Sequence, residues 1–139
     1  MTFVDTGYFL ALFNPRDPLH SRAVAWSEHL KGRFVVTEHV LWECVNAFSK
    51  PDNRSTAQAL AEYIQSERGG ELIYASRELL VAGMSLHRQR LDKEWSLTDC
   101  ISFHVMGQRR LTEALAHDLH FEQAGFDALL RRDPSDIRS

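Results

Sequence analysis

The sequence predicts an α/β fold, a three-layer sandwich of helices around a five-stranded parallel sheet. Three observations predict it. Short apolar segments with strand character alternate with longer segments of helical period. No Gly/Ser-rich or Pro-rich linker and no internal repeat interrupts that alternation. The chain of 139 residues has the size of one domain, so residues 1–139 are read as a single unit with one core. Because crossovers between parallel strands are right-handed, helices must cover both faces of the sheet.

The first strand is Thr2 to Asp5, followed at once by a short helix, Tyr8 to Phe13, that ends at the Asn14-Pro15 turn signal. Pro18 opens a second helix running to about Lys31, with Gly32 as its stop. Arg33 to Thr37 reads as the second strand. From His39 to Ser49, the residues Val40, Leu41, Cys44, Val45 and Phe48 recur at helical spacing, and Pro51 closes the segment. Ser55 to about Arg68 is an Ala-rich helix broken by Gly69-Gly70, and Glu71 to Ala75 is the third strand. Ser76 to Asp92 and Leu97 to Arg110 follow as helices, and Glu113 to His117 and Phe126 to Leu130 complete the strands.

Composition excludes several function classes. Hydrophobic residues at 44% and charged residues at 25% are a globular balance that rules out disorder. A formal net charge of −3 argues against bulk attraction to nucleic acid or anionic membrane, so any nucleic-acid contact must be local. The two cysteines, Cys44 and Cys100, are far apart and fit neither a disulfide scaffold nor a thiolate zinc site. Both occupy core-facing helical positions, where Cys serves as a small hydrophobe. The start of the chain has no basic region, and the apolar run Tyr8 to Phe13 is too short for a signal core or a membrane span. A cytoplasmic protein that is not exported is expected. His117 and His120 straddle a strand end rather than sharing a helix face, so zinc is not expected. Strand alternation would pack His117 against a helix and leave His120 at a site edge or in a loop. Trp26, Trp42 and Trp95 are read as completing the core or an oligomer interface.

The acidic residues carry the functional signal. Asp5 ends the first strand and Asp118 follows the fourth, so both sit at the carboxyl edge where open α/β sheets bind ligands. Taken alone, Asp5 reads as an N-cap for the helix that follows and Asp118 as a turn residue. Ser96-Leu97-Thr98-Asp99 is a capping box, which also aims Asp99 from a first helical turn toward the same edge. Glu43 falls off the core stripe of its helix, beside His39, Asn46 and Ala47, and periodicity alone makes it a solvated residue. Its helix leaves the second strand at that same edge. Four carboxylates converging there could not all stay ionised without a cation, which predicts Mg²⁺ or Mn²⁺ held by oxygen ligands. Such a metal suits hydrolysis of a phosphodiester by an activated water.

Read together, these segments resemble the PIN-domain ribonucleases, and most closely the VapC-like toxins of bacterial type II toxin–antitoxin modules. The resemblance rests on Val4-Asp5-Thr6 before an apolar helix and Asn14-Pro15, on Leu41-Trp42-Glu43-Cys44 with Asn46-Ala47, on Ser96-Leu97-Thr98-Asp99-Cys100, and on Asp118-Leu119-His120-Phe121 leading into Ala124-Gly125-Phe126. It spans nearly the whole chain. It implies the sheet order 3-2-1-4-5 and an acidic site of Asp5, Glu43, Asp99 and Asp118. Asp5 and Asp99 are then the firmest metal ligands, with Thr6 and Thr98 supporting them by hydrogen bonds. It further implies a metal-dependent endoribonuclease that leaves a 5′-phosphate and a 3′-hydroxyl, a toxin that forms a homodimer and is blocked by a cognate antitoxin. One departure is Ala116, where the family commonly has Ser or Thr two residues before the last Asp.

Two other classes share part of this pattern. A receiver-type phosphoacceptor also uses carboxyl-edge acids and Mg²⁺, but it needs a Lys near the last strand, and only Lys31, Lys50 and Lys93 are present. A non-catalytic PIN-like module that binds RNA or protein is the alternative, and retention of all four carboxylates speaks against it. The candidate phosphate contacts are Arg16, Arg22, Lys50, Arg54, Arg109, Arg110, Arg131 and Arg132, of which only those near the carboxyl edge could guide RNA.

Overall fold

Apolar residues dominate the central strands, Thr2–Val4 and Phe34–Thr37, as expected of a parallel sheet buried on both sides. The computed structural model describes residues 1–29, 33–66 and 70–136. Five strands, β1 (Thr2–Val4), β2 (Phe34–Thr37), β3 (Gly70–Ile73), β4 (Glu113–Leu115) and β5 (Asp127–Ala128), pair in the order β3-β2-β1-β4-β5. Every pairing is parallel, with Phe3 opposite Val35 on one side and Ala114 on the other. The order implied by the resemblance is the observed one. Phe3, Val4, Val35, Val36, Ala114 and Leu115 are buried in the core.

The helices are α1 (Thr6–Phe13), α2 (His20–His29), α3 (Glu38–Ala47), α4 (Arg54–Gln65), α5 (Arg77–Gln89), α6 (Leu97–Gln108) and α7 (Leu119–Gln123). Helix α1 packs on α2, α3 and α4, whereas α6 packs on α5 and α7, giving two helical layers. An aromatic chain runs through the second layer: Trp95 meets Phe103 at 5.0 Å, Phe103 meets Phe121 at 5.0 Å, and Phe121 reaches Phe3 of β1 at 6.3 Å. Such edge-on pairs add directional preference to apolar burial. Trp26 ties α2 to the C-terminal segment by donating its indole N–H to the Arg132 carbonyl at 2.8 Å.

Several boundaries differ from expectation. Helix α1 begins at Thr6 rather than Tyr8, because the extended backbone of Asp5 already turns the chain into it. The last strand is two residues long and continues as a single tight turn, Leu129–Arg131, where five strand residues were expected. Between β4 and β5 the sequence reading had no helix, yet α7 forms there and seats Phe121 in the core. A five-residue helix holds too few periodic positions to stand out from a loop. The expected stop at Gly32 and the ends of the second and fourth helices near Lys31 and Arg68 lie outside the described residues. Trp26 and Trp95 are core residues, whereas Trp42 is 54% exposed and does not complete the core, leaving the oligomer interface of the two roles expected of it.

Candidate active site

Each parallel strand delivers its carboxyl end to the same edge, so the residue after each strand is a candidate for chemistry. The amide of Asp5 bonds the Leu115 carbonyl at 3.1 Å, which fixes the ends of β1 and β4 side by side at the switch point. A cleft of about 390 Å³ opens there, and Asp5, Thr6, Glu43, Asp99 and Asp118 all line it. The four carboxylates singled out in the sequence are therefore brought together from four separate segments. Glu94, Ser96, Gly7, His117 and His120 complete the lining.

Asp5 stands at the N-cap position of α1, but its side chain makes no capping hydrogen bond. The capping role favoured for a lone Asp is thus not realised. Burial pushes its carboxyl up to about 7, opposed by the Thr6 amide and reinforced by the charges of Asp99, Glu43 and Asp118. Asp99 does serve its capping box: its Oδ2 accepts from the Ser96 amide at 3.0 Å, and Ser96 Oγ accepts from the Asp99 amide at 3.0 Å. Burial also raises the Asp99 carboxyl, against the lowering effect of the Ser96 hydrogen bonds. Its Oδ1 stays free of the box, so cap and cleft are served by different oxygens.

Glu43 is exposed and off the core stripe, as periodicity required, yet it is not left to solvent. The Thr6 hydroxyl donates to Glu43 Oε1 at 2.6 Å and holds it over the cleft. Asp118 is the N-cap of α7, its Oδ1 accepting from the His120 amide at 3.0 Å, and not the plain turn residue read in isolation. The His120 Nε2 lies 3.5 Å from the same oxygen. Thr98, by contrast, neither lines the cleft nor makes a side-chain hydrogen bond among the described residues. Ala116 is fully buried and also stands outside the lining, while Asp118 two residues on faces the cleft.

Two lining groups escaped the sequence reading. Glu94 lies in the irregular segment before the capping box, where no period marks it, and its nearness to Ser96 was the sole available signal. His117 was expected to pack against a helix, but β4 ends at Leu115, so strand alternation no longer governs position 117 and the side chain is exposed in the cleft. Cys44 and Cys100 are buried as expected, and burial raises both thiols, which keeps them protonated and inert.

The donor set is one of hard oxygens. Asp5, Glu43, Asp99 and Glu94 pair with no Lys or Arg among the described residues, so their mutual repulsion is not offset by protein cations. Among the described residues no three His, Cys, Asp or Glu side chains are drawn together tightly enough to hold a metal ion unaided. A small divalent cation that keeps several waters and touches one or two carboxylates directly would not require such a group. No described helix is long and apolar enough to cross a membrane.

The PIN domain family model matches residues 2–127 of the chain. Among solved structures, the chain is similar to VapC20 of Mycobacterium tuberculosis, a toxin that cleaves the sarcin-ricin loop. The TM-score is 0.86 at 25% sequence identity, over 92% of this chain and 98% of that one. No curated protein matches the chain in sequence.

Proposed function

Because the chain belongs to the PIN-domain family, we propose that it is a divalent-metal-dependent endoribonuclease and the toxin of a type II toxin–antitoxin module. The observation that carries this reading is the convergence of Asp5, Glu43, Asp99 and Asp118 on one cleft, with no Lys or Arg ion-paired to any of the four among the described residues. The similarity to a VapC toxin supports the substrate class.

Asp5 and Asp99 would hold Mg²⁺ or Mn²⁺, and Glu43 and Asp118 would complete the site directly or through water. When bound, the metal supplies an acidified water and offsets charge on the phosphodiester. The chain's own residues do the positioning. Thr6 orients Glu43, Ser96 leaves one Asp99 oxygen free, and the α7 cap aims Asp118. Burial raises the uncapped Asp5 carboxyl to about 7, so a cation held there would favour its ionised form. Hydrolysis leaves a 5′-phosphate and a 3′-hydroxyl.

The proposed partners are RNA, a cognate antitoxin protein and a second copy of the chain, acting in the cytoplasm. Exposed Leu80, Val81 and Met84 on α5 support the homodimer, since a second copy would remove that apolar surface from water.

The test is incubation of total RNA, including ribosomal RNA, with the purified protein in Mg²⁺ or Mn²⁺, beside EDTA and Asp99→Asn controls. Discrete fragments with 5′-phosphate ends, formed only by wild type with metal, are expected. Folded, antitoxin-free protein that cleaves nothing with either metal would leave the non-catalytic binding module as the better reading.

A further inference from the structure

The acidic cleft continues into a second cavity of about 640 Å³, and Glu94, His117, Asp118 and His120 line both. Beyond that shared wall the chemistry changes. Leu10, Leu19 and Leu119 give an apolar surface, Gln123 and Arg131 give hydrogen-bond donors, and the further acid of the lining, Asp17, has its Oδ1 engaged by the Leu19 amide at 2.8 Å. Leu119 is 51% exposed, so the core does not account for it.

Arg131 is the one Arg or Lys among the described residues that lines either cavity. Four of the seven other basic residues pointed out by the sequence are engaged elsewhere: Arg109 with Glu71, Arg132 with Asp127, Arg22 with Asp133 and Arg54 with the Ser49 carbonyl. Arg131 is itself held in place. Its Nε lies 3.1 Å from Glu122 Oε1, and its Nη1 donates to the His117 carbonyl at 3.0 Å, beside Asp118. Its Nη2 has no protein partner among the described residues. A guanidinium fixed in this way loses little freedom on meeting a phosphate.

Gln123 has a defined polarity. The indole N–H of Trp95 can only donate, and it donates to Gln123 Oε1 at 3.1 Å. His120 Nδ1 lies 3.3 Å from the same oxygen. Both contacts use the amide oxygen, so the NH₂ group is what Gln123 offers to a ligand. Trp95 is buried against Phe103, which anchors this orientation in the core.

A fixed guanidinium, an apolar wall and an oriented amide donor, all adjoining the acidic site, match one nucleotide: phosphate, base face and base edge. We propose that the second cavity is a base-reading subsite for the nucleotide next to the scissile phosphate. It favours a base with a keto oxygen opposite the glycosidic bond, guanine O6 or uracil O4. Adenine and cytosine place an amino group there, setting donor against donor. This inference rests on the nuclease reading of the adjoining cleft.

The test compares binding of fluorescein-labelled uridine and cytidine pentanucleotides, which differ at O4/N4 and in the proton on N3, by anisotropy in Ca²⁺ and in EDTA. Tighter binding of the uridine pentamer by about fivefold, the worth of one hydrogen bond, is expected. Gln123→Leu should erase that preference. Gln123→Glu, which keeps the oxygen for Trp95 and replaces the donor by an acceptor, should reverse it. Arg131→Gln should weaken both pentamers alike. Equal binding of the two pentamers by wild type, or a preference that survives Gln123→Leu, overturns the subsite whether or not the protein cleaves RNA. A uridine preference that responds to these variants in a protein without cleavage leaves the subsite standing and removes the nuclease reading alone.

Discussion

The Thr6 hydroxyl donates a 2.6 Å hydrogen bond to Glu43 Oε1 and joins the first turn of α1 to the middle of α3 across the acidic cleft. Glu43 is an exposed residue on an amphipathic helix, and without this bond its carboxylate would sample several rotamers in water. Thr6→Val keeps the shape and removes the donor. Cleavage is expected to fall roughly 10–100-fold, the usual effect of losing a partner that orients a metal-site ligand. The Mg²⁺ concentration for half-maximal rate should rise, and Thr6→Ser should restore most of the activity. A rate and Mg²⁺ dependence unchanged in Thr6→Val would show that Glu43 needs no orientation.

Asp99 divides its oxygens between a helix cap and the cleft, and two substitutions separate these roles. Asp99→Asn retains an oxygen for the Ser96 amide but removes the charge. Cleavage should drop below that of Thr6→Val, with a melting temperature near wild type. Asp99→Ala should lose cleavage and also about 1 kcal/mol of stability, as the capping box is broken. Thermal denaturation of the two variants side by side checks the division.

Asp5 predicts a pH dependence of stability in the absence of metal. Its carboxyl is raised to about 7 in the folded chain from 3.8 as the ordinary value. The folded state therefore binds the proton more tightly than the unfolded state, so the Asp5 contribution is fully present below about pH 4 and is lost as pH rises toward 7. In EDTA, Asp5→Asn should remove this part of the decline and melt above wild type at pH 7.5. Mg²⁺ or Mn²⁺ should raise the wild-type melting temperature at pH 7.5 and leave Asp5→Asn little changed. A wild-type protein in EDTA that gains stability between pH 5 and pH 7.5 relative to Asp5→Asn would contradict this sign.

Gly83 sets how closely α5 approaches α6. A Cβ at this position would come within 2.5 Å of Ile101 Cγ1 in a buried helix contact, so the Ile101 side chain or the helix would have to shift. Gly83→Ala is expected to destabilise the fold by about 1–3 kcal/mol despite the better helix propensity of Ala. Activity per folded molecule should be unchanged, because neither helix face at this contact lines the cleft. Urea denaturation with a parallel cleavage assay measures both.

The alternation of apolar runs with helical periods was enough to place every strand, because strands buried on both faces leave a continuous apolar signature. It also located three of the four acids at strand ends or helix starts, where a parallel sheet gathers them at one edge. Helix α7 was not legible, since five residues offer no sustained period and Asp-Leu-His after a strand has the composition of a turn. The misplacement of His117 followed from extending β4 two residues too far, which assigned a strand's side-chain alternation to a loop.

The sequence alone determined the α/β class, the acidic edge and the family, because these follow from local periodicity and from motifs in fixed order. Tertiary structure decided how each side chain is used. Thr6 reaches Glu43 across 37 positions, Asp5 leaves its cap unmade, and Gln123 takes its polarity from Trp95 28 residues away. Glu94 enters the site from an irregular segment that carries no pattern, and Arg131 enters the adjoining cavity from a single tight turn. Contacts of this kind depend on the register of β1 between β2 and β4 and on the packing of helices over it. Hydrogen bonds between distant residues are fixed by that geometry, and sequence periodicity does not encode them.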